Sequence, residues 1–289
     1  MIGRRRFLAL SACALALPAQ AAVPRREWRG LALGADVVLR VEGAEAGRAR
    51  AFFAEAARAL RSVEDRFSLY RGSDLRRLNA IGRLSRPPAE FRHLLTLARA
   101  VHDATGGAFD PTVQPLWQAV REGRAPDRAL LGFAAVSVSE AEVRLPRPGM
   151  ALTLNGIAQG WAADRLAAVA LRHGLGEVLI DTGEIVGTGR DWDAGIAAPD
   201  GRMLRRLTLR DRALATSAPL GTRIGPEGDA PHILDPRGGA PRWSLASVSA
   251  PSAALADALS TAACVMDRRA IDRALAAFPG TRLELLAPA

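Results

Sequence analysis

Apolar positions recur at helical spacing in several stretches of the chain. Over 46–67 the residues Phe52, Phe53, Ala56, Leu60 and Val63 fall near one face, which predicts a helix. Ser73 is placed to cap a short helix ending near Asn79. Pro87-Pro88 precede a helix over 89–104, which Gly106-Gly107 stop. A helix over 159–173 carries Trp161, Leu166, Val169 and Ala170; another spans 253–266, and a shorter one ends at Phe278. Short apolar runs predict strands at 31–41, entered through Gly34, and near 136–139, 142–145 and 152–154. Further strands are predicted at 177–180, 193–197, 203–209, 214–217, 246–249 and 282–286, with 225–231 a loop. The order is neither strict strand–helix alternation nor all-strand. It predicts one compact α+β unit, an antiparallel sheet with helices packed on one face.

The stretch 152–165, L-T-L-N-G-I-A-Q-G-W-A-A-D-R, changes register from strand to helix through Gly156 and Gly160. Unpaired N–H groups at such a helix start suit phosphate, and glycines let a ligand approach the backbone. The same two glycines also suit a tight strand-to-helix turn.

Composition narrows the class. The chain is 49% hydrophobic and 24% charged, enough for a sizeable core. Every one of its 39 basic residues is arginine, and the net charge of +9 includes three arginines in the first six residues. No dense basic run with interleaved aromatics occurs, so nucleic-acid binding is not read. Arg4-Arg5-Arg6-Phe7-Leu8, an alanine-rich stretch to Leu17 and Ala19-Gln20-Ala21 form a twin-arginine-like export signal over 1–21. The mature domain is then 22–289, periplasmic and without a transmembrane segment. A competing lipoprotein box at Leu10-Ser11-Ala12-Cys13 lies too close to Arg6 for a normal apolar region. With Cys13 removed, only Cys264 remains, in an apolar helical run that reads as core.

Candidate chemistry is sparse. Asp257 and Thr261 stand at i and i+4 on a helix otherwise of Ala, Leu and Val, so their oxygens share a face. This hard-oxygen pair suits Mg²⁺; a dipole-favoured Asp and a backbone-bonded Thr give the same pattern. His232 lies in a proline-flanked loop, where it can take a proton near neutral pH or simply bond a carbonyl. Tyr70, the only tyrosine, suits stacking or core cover. Asp110, between a double glycine and Pro111, suits a turn. No G-x-G-x-x-G, zinc spacing or G-x-S-x-G is present.

These pieces have a familiar order. The segments F-S-L-Y-R-G-S-D-L-R-R-L-N (67–79), T-G-G-A-F-D-P-T-V (105–113), L-N-G-I-A-Q-G-W-A-A-D-R (154–165), L-I-D-T-G-E-I (179–185), A-T-S (215–217), H-I-L-D-P-R-G-G-A-P (232–241) and A-D-A-L-S-T-A (256–262) resemble the ApbE family, the FAD:protein FMN transferases. The resemblance implies a T-fold-like α+β architecture with FAD in a cleft. It implies Mg²⁺ held by Asp257, Thr261 and a backbone carbonyl in the turn near Gly156. It sets FAD against Leu33, Tyr70, Ala108, Phe109, Asp110, Thr153, Gln159 and Ile233. The implied reaction moves FMN from FAD to a Ser or Thr hydroxyl of a target protein, releasing AMP, with His232 and Asp257 as catalytic residues. The implied target is a flavin-bearing subunit of a periplasm-facing respiratory redox complex. Hydrolysis of FAD to FMN and AMP, or FAD binding without turnover, are the alternatives. The chain departs from the family pattern at Gln159, where Lys or Glu is usual, and at Thr182-Gly183-Glu184 in place of G-G-D. It departs again at Ala218 in place of the glycine of T-S-G, at Leu33-Gly34-Ala35 in place of Met-Gly-Thr, and at Ser260, where some members carry an acid.

Overall fold

The computed structural model describes residues 24–289; the export signal read at 1–21, Cys13 included, lies outside the described residues. In chain order the elements are β1 (Arg25–Ala32), β2 (Ala35–Glu42), α1 (Ala46–Phe67), α2 (Asp74–Ile81), β3 (Arg83–Ser85), α3 (Ala89–Ala104), α4 (Gln114–Arg121), β4 (Ser137–Val138), β5 (Glu142–Arg144) and α5 (Ala158–Arg172). They continue with β6 (Val178–Asp181), β7 (Ile185–Thr188), β8 (Trp192–Ala197), β9 (Met203–Leu209), β10 (Arg212–Ser217), β11 (Arg223–Ile224), β12 (Ala230–Pro231), β13 (Trp243–Ala250), α6 (Ala253–Ala263), α7 (Arg268–Ala276) and β14 (Arg282–Pro288).

The frame is a seven-stranded sheet in the order β1-β2-β6-β7-β10-β13-β14, antiparallel at every step. Helices α1, α5 and α6 pack side by side against it. The α+β class with an antiparallel sheet is as the sequence predicts. The single strand predicted at 31–41 is instead a hairpin, because Leu33 and Gly34 both take positive φ, 52° and 81°, and turn the chain. The β1 arm was not read because its sequence, R-R-E-W-R-G-L-A, is that of a charged edge strand.

Both faces of the sheet centre are covered, which is why its strands read as continuous apolar runs rather than alternation. On one face Val37, Leu39, Val41, Val178, Ile180, Ala213, Ala215, Ala246 and Val248 meet the helices. On the other, Leu179, Ile185, Leu214 and Leu245 meet Trp192, Ala194, Ile196 and Leu209 of the β8–β9 hairpin. The predicted strands at 193–197 and 203–209 therefore form a separate two-stranded layer, and helices cover only one face.

Helix α1 shows how pattern becomes packing. Its buried residues Ala49, Phe52, Ala56, Leu60, Val63 and Phe67 follow steps of three or four, so one stripe faces the core. Burying a Phe or Leu side chain contributes about 1.5–3 kcal/mol, and Phe52 and Phe67 are at most 1% exposed. Ser73 caps α2 as predicted, its side chain accepting from the Arg76 amide. Helix α6 ends at Ala263 rather than Met266. Cys264 is buried there, its thiol donating toward the Ser260 and Ser217 carbonyls, and burial pushes its pKa up.

Helices α5 and α6 meet at a close crossing. A Cβ built on Gly160 would lie 2.2 Å from the Ala253 carbonyl oxygen and 2.6 Å from the Ala254 nitrogen, backbone atoms that cannot rotate away. Replacing a helix glycine by alanine normally gains up to about 1 kcal/mol, whereas overpacking costs about 1–3 kcal/mol and more where backbone must move. Gly160→Ala is therefore expected to destabilise the protein, seen as a lower midpoint in urea unfolding. An unchanged or higher midpoint would refute the close crossing.

Candidate active site

The α5–α6 crossing is fixed by one carboxylate. Asp164 on α5 accepts from Ser252 Oγ at 2.7 Å, the Ala253 amide at 2.8 Å and the Ala254 amide at 3.0 Å. It thereby satisfies unpaired donors at the start of α6 and lies at the favourable end of that helix dipole. One turn further along α6, Asp257 accepts the Gly160 N–H at 3.1 Å. One turn beyond that, Thr261 lies against the preceding turn: a Cβ on Gly156 would be 2.9 Å from Thr261 Oγ1. The i, i+4 pair Asp257/Thr261 thus faces the glycine turn.

The turn itself is not led by a strand. Residues 152–154, predicted as one, are extended but pair with no ladder. Asn79 takes the place of a strand neighbour: its side-chain amide donates to the Leu152 carbonyl and accepts from the Leu152 N–H, both at 2.8 Å. The Thr153 amide donates to the Pro111 carbonyl at 2.8 Å. Backbone groups are satisfied, so the segment stays irregular.

Two sheet ends close the site. At the end of β10, Ser217 Oγ lies 2.8 Å from Ser260 Oγ and 3.3 Å from Thr261 Oγ1. At the β6–β7 turn, Thr182 Oγ1 donates to the Gln159 carbonyl at 3.1 Å, and Gln159 Nε2 donates to the Thr182 carbonyl at 3.3 Å. Gln159 is therefore tied to the sheet rather than projecting from the turn. The next residues place Glu184 beside the Thr216 amide, which donates to its carboxylate.

The electrostatics of this corner are one-sided. Asp257 is 3% exposed; burial raises its pKa to about 7, with the Asp164 charge adding to the effect and the Gly160 N–H opposing it. Glu184 is buried too, and burial, then the Asp257 and Asp181 charges, push its pKa well up. Its Oε2 has no hydrogen-bond partner among the described residues. Two buried carboxylates and neighbouring hydroxyls make an all-oxygen donor set, which fits a hard divalent cation such as Mg²⁺. No group of three or more His, Cys, Asp or Glu converges among the described residues, so a site here draws on hydroxyl or carbonyl oxygens as well.

His232 stands on the neighbouring loop. Its Nδ1 lies 2.9 Å from the Pro219 carbonyl and 3.1 Å from the Thr222 carbonyl, and its backbone amide also donates to Pro219. Two carbonyl acceptors assign the proton to Nδ1 and leave the Nε2 lone pair as the base. Burial lowers its pKa, which keeps it neutral near pH 7. Pro219 follows Ser217 by two residues, so this loop is anchored to the Thr261 corner.

The remaining predicted contact residues join the same corner in part. The Tyr70 side chain bonds that of Asn155, inside the glycine turn. Leu33 sits at the β1–β2 hairpin tip, its amide donating to Glu64 Oε1 at 3.2 Å; Glu64 Oε2 also holds Arg71 at 2.6 Å, next to Tyr70. Thr153 is linked through Pro111 to Ala108, Phe109 and Asp110. Ala108 and Phe109 are 4% and 5% exposed, and the Asp110 carboxylate caps its own turn, accepting from the Thr112 amide and hydroxyl and from the Phe133 amide. What these three can offer a ligand is therefore mainly backbone. Ile233 is half-buried against the main core. Asp164, Gly160 as a donor and Ser217 carry no local signal in the sequence, because each acts through a partner 43 to 97 residues away.

The ApbE family description matches residues 33–283. A Vibrio cholerae protein named FAD:protein FMN transferase is 30% identical over 240 residues, covering 72% of this chain and 71% of its own. A Treponema pallidum protein of the same name is 29% identical over 226 residues; the match covers 65% of this chain and 62% of that relative's length. Among solved structures, the flavin transferase ApbE from Vibrio cholerae superposes with a TM-score of 0.76 at 25% identity, covering 88% of this chain and 91% of its own. The apbe protein from Thermotoga maritima gives 0.79 at 25% identity, covering 92% and 97%. The family match over residues 33–283, most of the chain, makes this protein a member of the ApbE family.

Proposed function

We propose that this protein transfers the FMN moiety of FAD to a Ser or Thr hydroxyl of a target protein and releases AMP, with Mg²⁺ bound at Asp257 and Thr261. The observation that carries the reading is the meeting of Asp257, Thr261 and the Gly156 turn at one buried corner that contains no protein cation among the named neighbours. The names of the two curated relatives support the same activity.

In this reading the glycine turn receives the pyrophosphate and the Leu33, Tyr70, Thr153 and Ile233 region receives the rest of FAD. The acceptor hydroxyl oxygen attacks the FMN-side phosphorus. The bond from that phosphorus to the bridging oxygen breaks, and AMP leaves with that oxygen. The hydroxyl proton passes to His232 Nε2, whose lone pair is oriented by the two carbonyls on Nδ1. Mg²⁺, when bound, supplies charge neutralisation to the pyrophosphate and the departing AMP. Asp257 and Thr261 hold the cation there, and Ser217, itself bonded to Ser260, fixes the Thr261 hydroxyl. Residues 1–21 and the transferred group together suggest a periplasmic acceptor in a respiratory redox complex. Among the described residues no helix is long and apolar enough to cross a membrane.

Incubation with FAD, Mg²⁺ and an acceptor bearing a D-x-x-[ST]-G-A-[ST] segment is expected to add one FMN mass to the acceptor. AMP with free FMN and no adduct would instead assign hydrolysis. Asp257→Asn keeps an acceptor for the Gly160 N–H yet removes the charge, and is expected to abolish Mg²⁺-dependent turnover while far-UV circular dichroism is unchanged; retained turnover would remove Asp257 from the site. Because burial favours the neutral imidazole, kcat/KM is expected to rise with pH through a value below the ordinary histidine value and stay level above it. His232→Ala should lower kcat about 10²–10⁴-fold and abolish that rise; an unaltered pH profile would exclude His232 as the base.

A further inference from the structure

We propose that Glu184 is a further oxygen ligand of the cation held by Asp257 and Thr261, so that the site carries two carboxylates; this rests on the metal reading above. Glu184 lies in the β6–β7 turn, after Gly183, whose φ of 98° sets the turn. Two contacts bring it to the α5–α6 corner. Its carboxylate accepts from the Thr216 amide, and Thr216 precedes Ser217, the residue that bonds Ser260 and Thr261. Its carbonyl accepts from the Thr182 amide, and Thr182 exchanges hydrogen bonds with Gln159, next to the Gly160 donor of Asp257.

The side chain is only 6% exposed, yet one carboxylate oxygen, Oε2, has no partner among the described residues. A buried carboxylate oxygen without a donor is strongly unfavourable unless a proton or a cation meets it. The charges that act on it, those of Asp257 and Asp181, are both of its own sign. A divalent cation bonded to Asp257 and Thr261 would meet this free oxygen and the like charges around it. The donor set then becomes two carboxylates, one hydroxyl and the turn backbone, with water and pyrophosphate oxygens completing six ligands as Mg²⁺ requires.

The test is direct binding of Mn²⁺, followed by electron paramagnetic resonance, on the full protein and on Glu184→Gln and Asp257→Asn. Glu184→Gln preserves the acceptor for the Thr216 amide. It is expected to weaken Mn²⁺ binding about tenfold or more, and to raise the melting temperature in EDTA while shrinking the increase that Mg²⁺ produces. Affinity within twofold of wild type in Glu184→Gln, with binding lost in Asp257→Asn, would overturn the role of Glu184 and leave the cation site standing. A melting temperature lowered by Glu184→Gln in EDTA would also overturn it, by making the carboxylate a structural group. Wild-type affinity in both variants would remove the cation from this corner altogether.

Discussion

The contact on which the structure depends is the crossing of α5 over α6 at Gly160. No side chain fits between the two backbones there. Asp164 sets the register by capping α6, and from that register Asp257 reaches the Gly160 amide and Thr261 reaches the Gly156 turn. The same glycine that permits close packing donates its N–H to the acid of the site. Packing and chemistry are one constraint at this point, and the sheet, with α6 against β10 and β13, holds the crossing in place.

Around this crossing the protein concentrates negative charge where water is scarce. Asp257 and Glu184 are buried and face like charge, while the arginines that dominate the chain pair mainly at the surface, as Arg29 and Arg40 do with Glu27. Exposed pairs of that kind contribute little, about 0–1 kcal/mol. A deficit of this sort in the interior costs stability unless function uses it. In the proposed function a bound cation would convert that cost into affinity for a pyrophosphate, and so connect the packing of two helices to the transfer of a phosphoryl group.

Local pattern carried much of the fold. The bounds of α1 and α3 follow directly from their apolar spacing and flanking residues, and the Ser73 cap is local chemistry. Where meaning depends on distant partners, sequence was silent or misleading. Residues 152–154 have a strand's composition but pair with the Asn79 side chain, 73 positions away. The charged β1 strand exists because β2 lies beside it, not because of its own propensity. In the site, the Asp257/Thr261 face was legible because i, i+4 spacing is intrinsic to a helix. The positions of Glu184 and Ser217 follow from sheet register and were not. Motif order supplied what spacing could not, and the family match across residues 33–283 agrees with it.

The central claim is that the α5–α6 corner binds a divalent cation together with FAD. Diffraction from crystals grown with Mn²⁺ and FAD, recorded at the manganese edge, tests it most directly. The account predicts an anomalous peak at about 2.1–2.3 Å from the Asp257 carboxylate and Thr261 Oγ1, beside the Gly156 turn. Manganese bound elsewhere, with FAD in place and this corner empty, would contradict it.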